Sequence, residues 1–504
     1  MKHISSLLLL SFVFCFSLSV RAKEAQNVIL EQCDELTFDK NANASRSYQV
    51  LRGNVRFRHG DALMWCDSAY FYDGENSFDA FGHIRVNQEQ SSMFADSLFY
   101  DGNTTLMRVR GNVVLNSKEI SLYTNFLDYN REKKFGYYYG GGKVIETQNT
   151  LTSRRGYYYP DSECYLFLDS VILIHPDYEI RSDSLRYFST LGTAYLYGPS
   201  HIYGKDYTIF TTNGWTDTKN NKGKLYDYSV VTMNDGKRLT ADSIFYDSNL
   251  GNVNAFIGVD IKDSLQNVII RGDYAEYNRN YPRNALVTKN PYILEFSDKD
   301  TLYLSSDTVF YCQVDSIQDE VRAYRNVKFF REDMQGKCDS MVFYVQDSLG
   351  KMFYDPILWS EDNQMTGDRI DIYIKEKRPY KVHITKNAMM SSFENVNMYN
   401  QLAGKEAFAY IEKNRLRRID MKGNAESIYY TKDDDGAYIG VNKAKGEEMS
   451  IFTDNNKLEK IVMTPDSEGI MYPPNKFPEE ERYLRNFSWE QDLRPRRKED
   501  VIGR

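Results

Sequence analysis

The strongest constraint on this 504-residue chain is internal repetition. A glycine, a polar residue and an aliphatic residue recur as Gly53-Asn54-Val55, Gly82-His83-Ile84 and Gly111-Asn112-Val113, at steps of 29 residues. The same step lands on Gly140, on Asp169 ahead of Ser170-Val171, on Gly198 and on Asp227. Beyond that the register loosens, and the pattern returns at Arg325-Asn326-Val327, Lys386-Asn387-Ala388 and Gly423-Asn424-Ala425. A unit of this length holds two or three short strands with their turns, too little to bury an apolar face alone. Neighbouring units must therefore stack, and about 13 of them fit between residues 45 and 475.

A second element follows each start. Asp67 and Asp96 stand 14 residues after Gly53 and Gly82, and Asp183, Asp242, Asp273, Asp307, Asp339 and Asp368 align with them. The residue before the aspartate is small, as at Cys66, Ala95, Ala241 and Cys338. Apolar residues stand three before it and two and four after it. They include Met64, Phe71, Met93, Leu98, Tyr100, Leu185, Tyr187, Leu239, Ile244, Tyr246, Val309, Tyr311, Met341 and Phe343. Period-2 alternation marks strands with one buried face. The parity changes across the aspartate, which requires an extra residue, so a bulge or corner is predicted at each Asp step. Gly53, Gly82, Gly111, Asp67, Asp96, Asp183, Asp242 and Asp339 are thereby assigned to repeat turns. A carboxylate required once per unit is architectural, hydrogen-bonding nearby backbone, rather than catalytic.

Composition agrees. The 40 Tyr and 28 Phe suit half-buried pleated surfaces, and 12 Pro with no sustained helical period leave helix only to a tail segment, Pro478 to Leu484. A net charge of −8 argues against nucleic-acid binding. The Cys residues show no C-x-x-C spacing, and the six His are scattered with no H-E-x-x-H, so neither a metal nor a cofactor is expected. Gly140-Gly141-Gly142-Lys143 lacks the upstream Gly and the Ser/Thr of a phosphate loop. No nucleophile or nucleotide motif occurs, and the chain is read as a non-enzyme. The small residue before each Asp gives Cys66 and Cys338 a packing role.

Residues 1–22 read as a signal peptide: Lys2, an uncharged run from Ile4 to Val20, then Val20-Arg21-Ala22. The alternative is an uncleaved anchor. The mature chain divides into regular repeats over 23–250, less regular repeats continuous with them over 251–475, and a polar tail over 476–504. The tail carries Trp489 and Arg494-Pro495-Arg496-Arg497 and is read as solvated.

Leu-x-Gly-Asn-Val-x-Phe followed by apolar-x-small-Asp-Ser-apolar-x-aromatic resembles the OstA-like repeat of lipopolysaccharide-transport proteins of the LptA type. The match is best at 51–72 and 80–101, good at 109–129 and 237–247, and clear at 323–344. Length and Tyr content look most like the long Bacteroidetes-type members. The resemblance implies an all-β, elongated open β-jellyroll, where the period alone fits a parallel β-helix equally. It implies an apolar groove holding lipid A acyl chains, with no cofactor and no chemistry performed. It also implies a periplasmic location, tied to the outer or inner membrane through partners. Those partners would be other transport components joined by edge-strand addition, with head-to-tail self-association as a further use of the same edges. Alternation alone reports burial and not the guest, so the inward set is equally ordinary core. The rival readings are a structural or adhesive β-solenoid without lipid and, further off, an outer-membrane barrel, whose strands of about 9–11 residues would carry an apolar outer band.

Overall fold

The computed structural model describes residues 27–38, 47–297, 300–314, 317–413, 415–433, 435–454 and 457–502. The leader expected over 1–22 lies outside them. The described residues form 37 strands in antiparallel pairings, with helix confined to five 3-10 turns and Glu499–Ile502. No described helix is long and apolar enough to cross a membrane. The chain groups into two compact units, one ending at Ser162 and one beginning at Glu163.

In the first unit, strands Gln49–His59, Ala62–Tyr72, Ser77–Gln88, Ser91–Asp101, Leu106–Ser117, Ile120–Asn130 and Phe135–Ile145 run up and down, each paired with the next. Each is interrupted near its middle. Pairing jumps from Arg52↔Ser68 to Val55↔Cys66, so Gly53 and Asn54 oppose Asp67 alone. The same two-against-one step sets Gly82 and His83 against Asp96. Burial along Ala62–Tyr72 runs through Ala62, Met64 and Cys66, then Ala69 and Phe71, which is the expected parity switch. The extra residue, however, sits not at the aspartate but on the neighbouring glycine strand.

Both residues of that step are left-handed: φ is +70° and +43° at Gly53-Asn54, +78° and +40° at Gly82-His83, and +75° and +44° at Gly111-Asn112. The later starts keep the conformation without glycine, as at Asp169-Ser170, Asp227-Tyr228, Lys289-Asn290, Arg325-Asn326 and Lys386-Asn387. Ile257-Gly258 and Tyr354-Asp355 are further left-handed pairs that no sequence pattern revealed. A non-glycine in this region costs on the order of 1–2 kcal/mol, and the aspartate on the preceding side of the ladder supplies the compensation. Asn54 Nδ2 donates to Asp34 Oδ2 (2.7 Å), Asn112 Nδ2 to Asp96 Oδ2 (2.9 Å) and Asn387 Nδ2 to Asp368 Oδ1 (2.8 Å). His83 Nδ1 lies 2.6 Å from Asp67 Oδ2. The aspartate N–H groups of Asp34, Asp242, Asp307, Asp339 and Asp368 donate to the carbonyl of the first left-handed residue at 2.9–3.1 Å.

Residues on either side of this row of corners touch each other. Phe57 follows its corner and Phe78 precedes the next, yet their rings stack with centroids 4.1 Å apart. The sheet is therefore folded along the row, giving two wings with an inner face between them.

The second unit follows the same rule. Its core joins Met352 and Ile370 of one wing to Leu358 and Met365 of the other, all fully buried. Strands Arg378–Asn395 and Arg415–Lys432 reach 18 residues each. The tail expected to be solvated lies instead across the outer face of one wing. Phe477 and Leu484 bury against Met389, Ile428, Tyr430 and Val441. Two buried glutamines bracket its backbone as a strand edge would. Gln401 donates to the Arg482 carbonyl (2.8 Å) and accepts the Leu484 N–H (2.8 Å); Gln364 donates to the Ser488 carbonyl (2.9 Å) and accepts the Glu490 N–H (2.8 Å). A third, Gln335, accepts from Arg494 Nε at 2.9 Å.

The corner chemistry predicts a contrast between two glycines. A Cβ at Gly82, at φ +78°, would strike the Asp67 carboxylate, whereas one at Gly74 meets nothing within 4 Å. Gly82→Ala should cost about 1–3 kcal/mol and Gly74→Ala less than about 0.5 kcal/mol, measured by urea denaturation.

Candidate functional site

The inner face is built from the corners outward. Small side chains stand beside the bend, as at Ala241, Ala255, Ala275 and Ala323, each 5% exposed or less. Larger apolar side chains project further along each wing. All fourteen inward residues read from the repeat lie on this face, and the structure divides them into two groups.

In the first unit Met64, Phe71, Met93, Leu98 and Tyr100 are buried in a closed interior. Phe57 contacts Phe71 (5.4 Å between centroids) as well as Phe78, and Phe78 contacts Tyr100 (5.3 Å). Between the wings remains a narrow cleft of about 40 Å³ lined by Val86, Met93, Met107, Leu115, Tyr129 and Tyr158 among others. A polar strap closes the mouth. Arg131, in a turn at the end of one wing, donates to Tyr100 Oη (2.8 Å), Gln88 Oε1 (3.0 Å), Asp61 Oδ1 (2.9 Å) and the His59 carbonyl (3.2 Å). His59 Nδ1 lies 2.5 Å from Tyr100 Oη. Burial pushes the Tyr100 phenol above its usual range against the pull of Arg131, so it stays neutral.

In the second unit Leu185, Tyr187, Ile244 and Val309 are buried, but Leu239, Tyr246, Tyr311, Met341 and Phe343 are only half-buried. Neighbours on the same face, Ile261, Ile270, Ile293, Leu302 and Val321, are half-buried too, and Tyr277 is 38% exposed. Strands between residues 237 and 344 thus present an apolar inner face partly open to solvent, with full closure before it at Leu196 and Leu225 and after it at Met352 and Ile370. Burial and nearby Asp319 push the Tyr311 phenol up to about 12, so this aromatic also carries no charge at neutral pH. Charged inward residues, Lys237, Asp263 and Glu295, stand at or next to strand ends, on the rim.

The corner aspartates gather at no common point; each faces its own left-handed pair. Asp183 accepts from Ser184 Oγ (3.2 Å), and Asp339 from Ser340 Oγ (2.8 Å). Among the described residues no cluster of His, Cys, Asp and Glu could hold a metal ion. Cys66 and Cys338 are buried free thiols that burial pushes up to about 12, which makes them poor nucleophiles. Sequence reasoning missed the Arg131 strap and the three tail-binding glutamines. Arg131 stands 72 residues from His59, and no local pattern marks such a partner.

The folded antiparallel sheet with aspartate-braced left-handed corners defines a β-repeat protein with an apolar inner face and no assembled catalytic group among the described residues. Residues 25–183 match the family model described as OstA-like protein. Among solved structures it is similar to LptH, described as the LptA homologous periplasmic component of the conserved lipopolysaccharide transport device from Pseudomonas aeruginosa. The identity is 16%, over 24% of this chain and 83% of that one, with a TM-score of 0.21. No curated protein matches.

The strap gives a direct expectation. Arg131→Ala removes the donor shared by Tyr100, Gln88 and the His59 carbonyl, and should destabilise the protein by about 1–3 kcal/mol. It should also raise binding of a hydrophobic dye as the wings part. Unchanged denaturation midpoint and dye signal would show that aromatic packing alone holds them.

Proposed function

We propose that this chain is a non-enzymatic periplasmic carrier of lipopolysaccharide toward the outer membrane. Lipid A acyl chains would lie on the half-open inner face around Leu239, Ile270, Tyr311 and Phe343. The observation that carries this reading is the apolar face left partly open to solvent over residues 237–344, in a chain whose residues 25–183 match the OstA-like model. Each methylene moved from water onto such a surface gains about 0.8 kcal/mol, so holding a lipid needs no chemistry. Sugars would stay at the rim, near Lys237, Asp263 and Glu295.

Partners would join through strand edges. Ile29–Gln32 and Glu35–Phe38 pair with Gln49–His59 and leave Ile29, Leu36 and Phe38 half-exposed. Glu468–Tyr472 pairs with Tyr438–Asp454 and leaves Ile470 and Met471 exposed. Other transport components, or a second copy head to tail, would add strands there. The closed aromatic interior of the first unit favours the rival reading, a structural envelope protein without lipid, at least for that part.

Lipid mass spectrometry on the gently purified full chain separates the two. Lipid A should accompany the wild type, and the pair Ile270→Glu with Phe343→Glu, placed where both side chains are half-buried, should reduce it at least tenfold, about 1.4 kcal/mol. Wild-type protein free of lipid A at any stoichiometry would establish the lipid-free reading instead.

A further inference from the structure

The C-terminal segment brings cations onto cations. On the outer face Lys328 and Lys337 are direct cross-strand partners, an arrangement in which like charges repel. The tail then lays Arg494 and Arg496 over the same spot, and the four line a cavity of about 470 Å³ together with Asp492 and Asp500. One of those two carboxylates is already engaged: Asp500 accepts the N–H groups of Arg496 (2.8 Å) and Arg497 (3.2 Å) and pairs with Arg497 Nε (3.2 Å). Arg494 is anchored by the neutral amide oxygen of Gln335, at 2.9 and 2.6 Å, not by a carboxylate. Burial, followed by the charge of Arg496, pulls its guanidinium below the usual range. Among the described residues no salt bridge engages Lys328, Lys337 or Arg496.

We propose that this cavity is a binding site for a phosphomonoester or phosphate anion, held between the lysine pair of the wing and the two arginines of the tail. With the Nε edge of Arg494 held by Gln335, its remaining N–H groups, the Arg496 guanidinium and two ammonium groups suit the several acceptor oxygens of a compact dianion. The volume fits a headgroup-sized ligand and not a polymer. The anion would offset a repulsion that the fold otherwise leaves standing, and would fasten the tail to the wing. Because the lysines face away from the inner surface, the site does not depend on what the inner surface carries.

The test uses the full chain with two probes, inorganic phosphate and glucose 1-phosphate, followed by calorimetry and thermal melting. Saturable binding with a raised melting temperature is expected. The variant Lys328→Gln with Lys337→Gln, which leaves the Gln335–Arg494 anchor intact, should bind at least tenfold more weakly. Without ligand it should melt no lower than the wild type, because the repulsion is gone. Tighter binding of glucose 1-phosphate than of phosphate would identify a phosphorylated sugar as the source, and equal binding the free anion. Absence of saturable binding of either probe to the wild type, or unchanged affinity in the double variant, would overturn the assignment.

Discussion

The carboxylate of a corner aspartate, reaching to a residue held at positive φ on the next strand, is the contact on which the rest of this molecule depends. An antiparallel sheet left to itself twists but does not fold sharply. A two-residue left-handed step against a single opposing residue supplies the bend, and it carries a conformational cost that something must offset. Where glycine holds the first position the cost is small. Where arginine or lysine does, as at Arg325 and Lys386, the asparagine that follows bonds the aspartates Asp307 and Asp368. Glycine is thus one solution at the corner, and the aspartate contact is the more general one.

Once the bend is fixed, the inner face is decided by what stands near it and what stands at the wing tips. Alanine and glycine near the corner let the wings start close together. Large aromatics further out either meet and close the space, as Phe57 and Phe78 do, or stay partly open to solvent, as Tyr277 and Tyr311 do. The same alternation along a strand therefore yields a sealed core in one stretch and an accessible apolar surface in another. Tip chemistry reinforces the difference, because an arginine strap such as Arg131 holds only the rungs it spans.

The strand alternation, the parity switch and the corner rows at Gly53, Gly82 and Gly111 were legible because each depends on residues close in sequence. The placement of the extra residue was not: parity changes on the aspartate strand, while the left-handed pair that causes it sits across the ladder. Ile257-Gly258 and Tyr354-Asp355 escaped notice because their bend is enforced by backbone hydrogen bonds from Asp242 and Asp339, with no residue type to announce it. Alternation along a strand sets which residues share a face, yet whether Phe343 is half-open and Leu185 sealed depends on the opposite wing. The tail misled for a different reason. Its charged composition suggested solvation, while Gln335, Gln364 and Gln401, which bind it, stand at outward positions where a polar residue looks unremarkable.

The corner contact has a bearing on length. It joins each aspartate only to an immediate neighbour, so removing or adding a whole unit leaves every remaining corner with its partner. Extra residues need not disturb the row either: between the corners at 289 and 325 the chain is longer than one regular period, yet Lys289-Asn290 and Arg325-Asn326 both keep the left-handed pair. Within either unit the bend is thus set by local bonding, and the number of strands is free to change without redesigning those that remain.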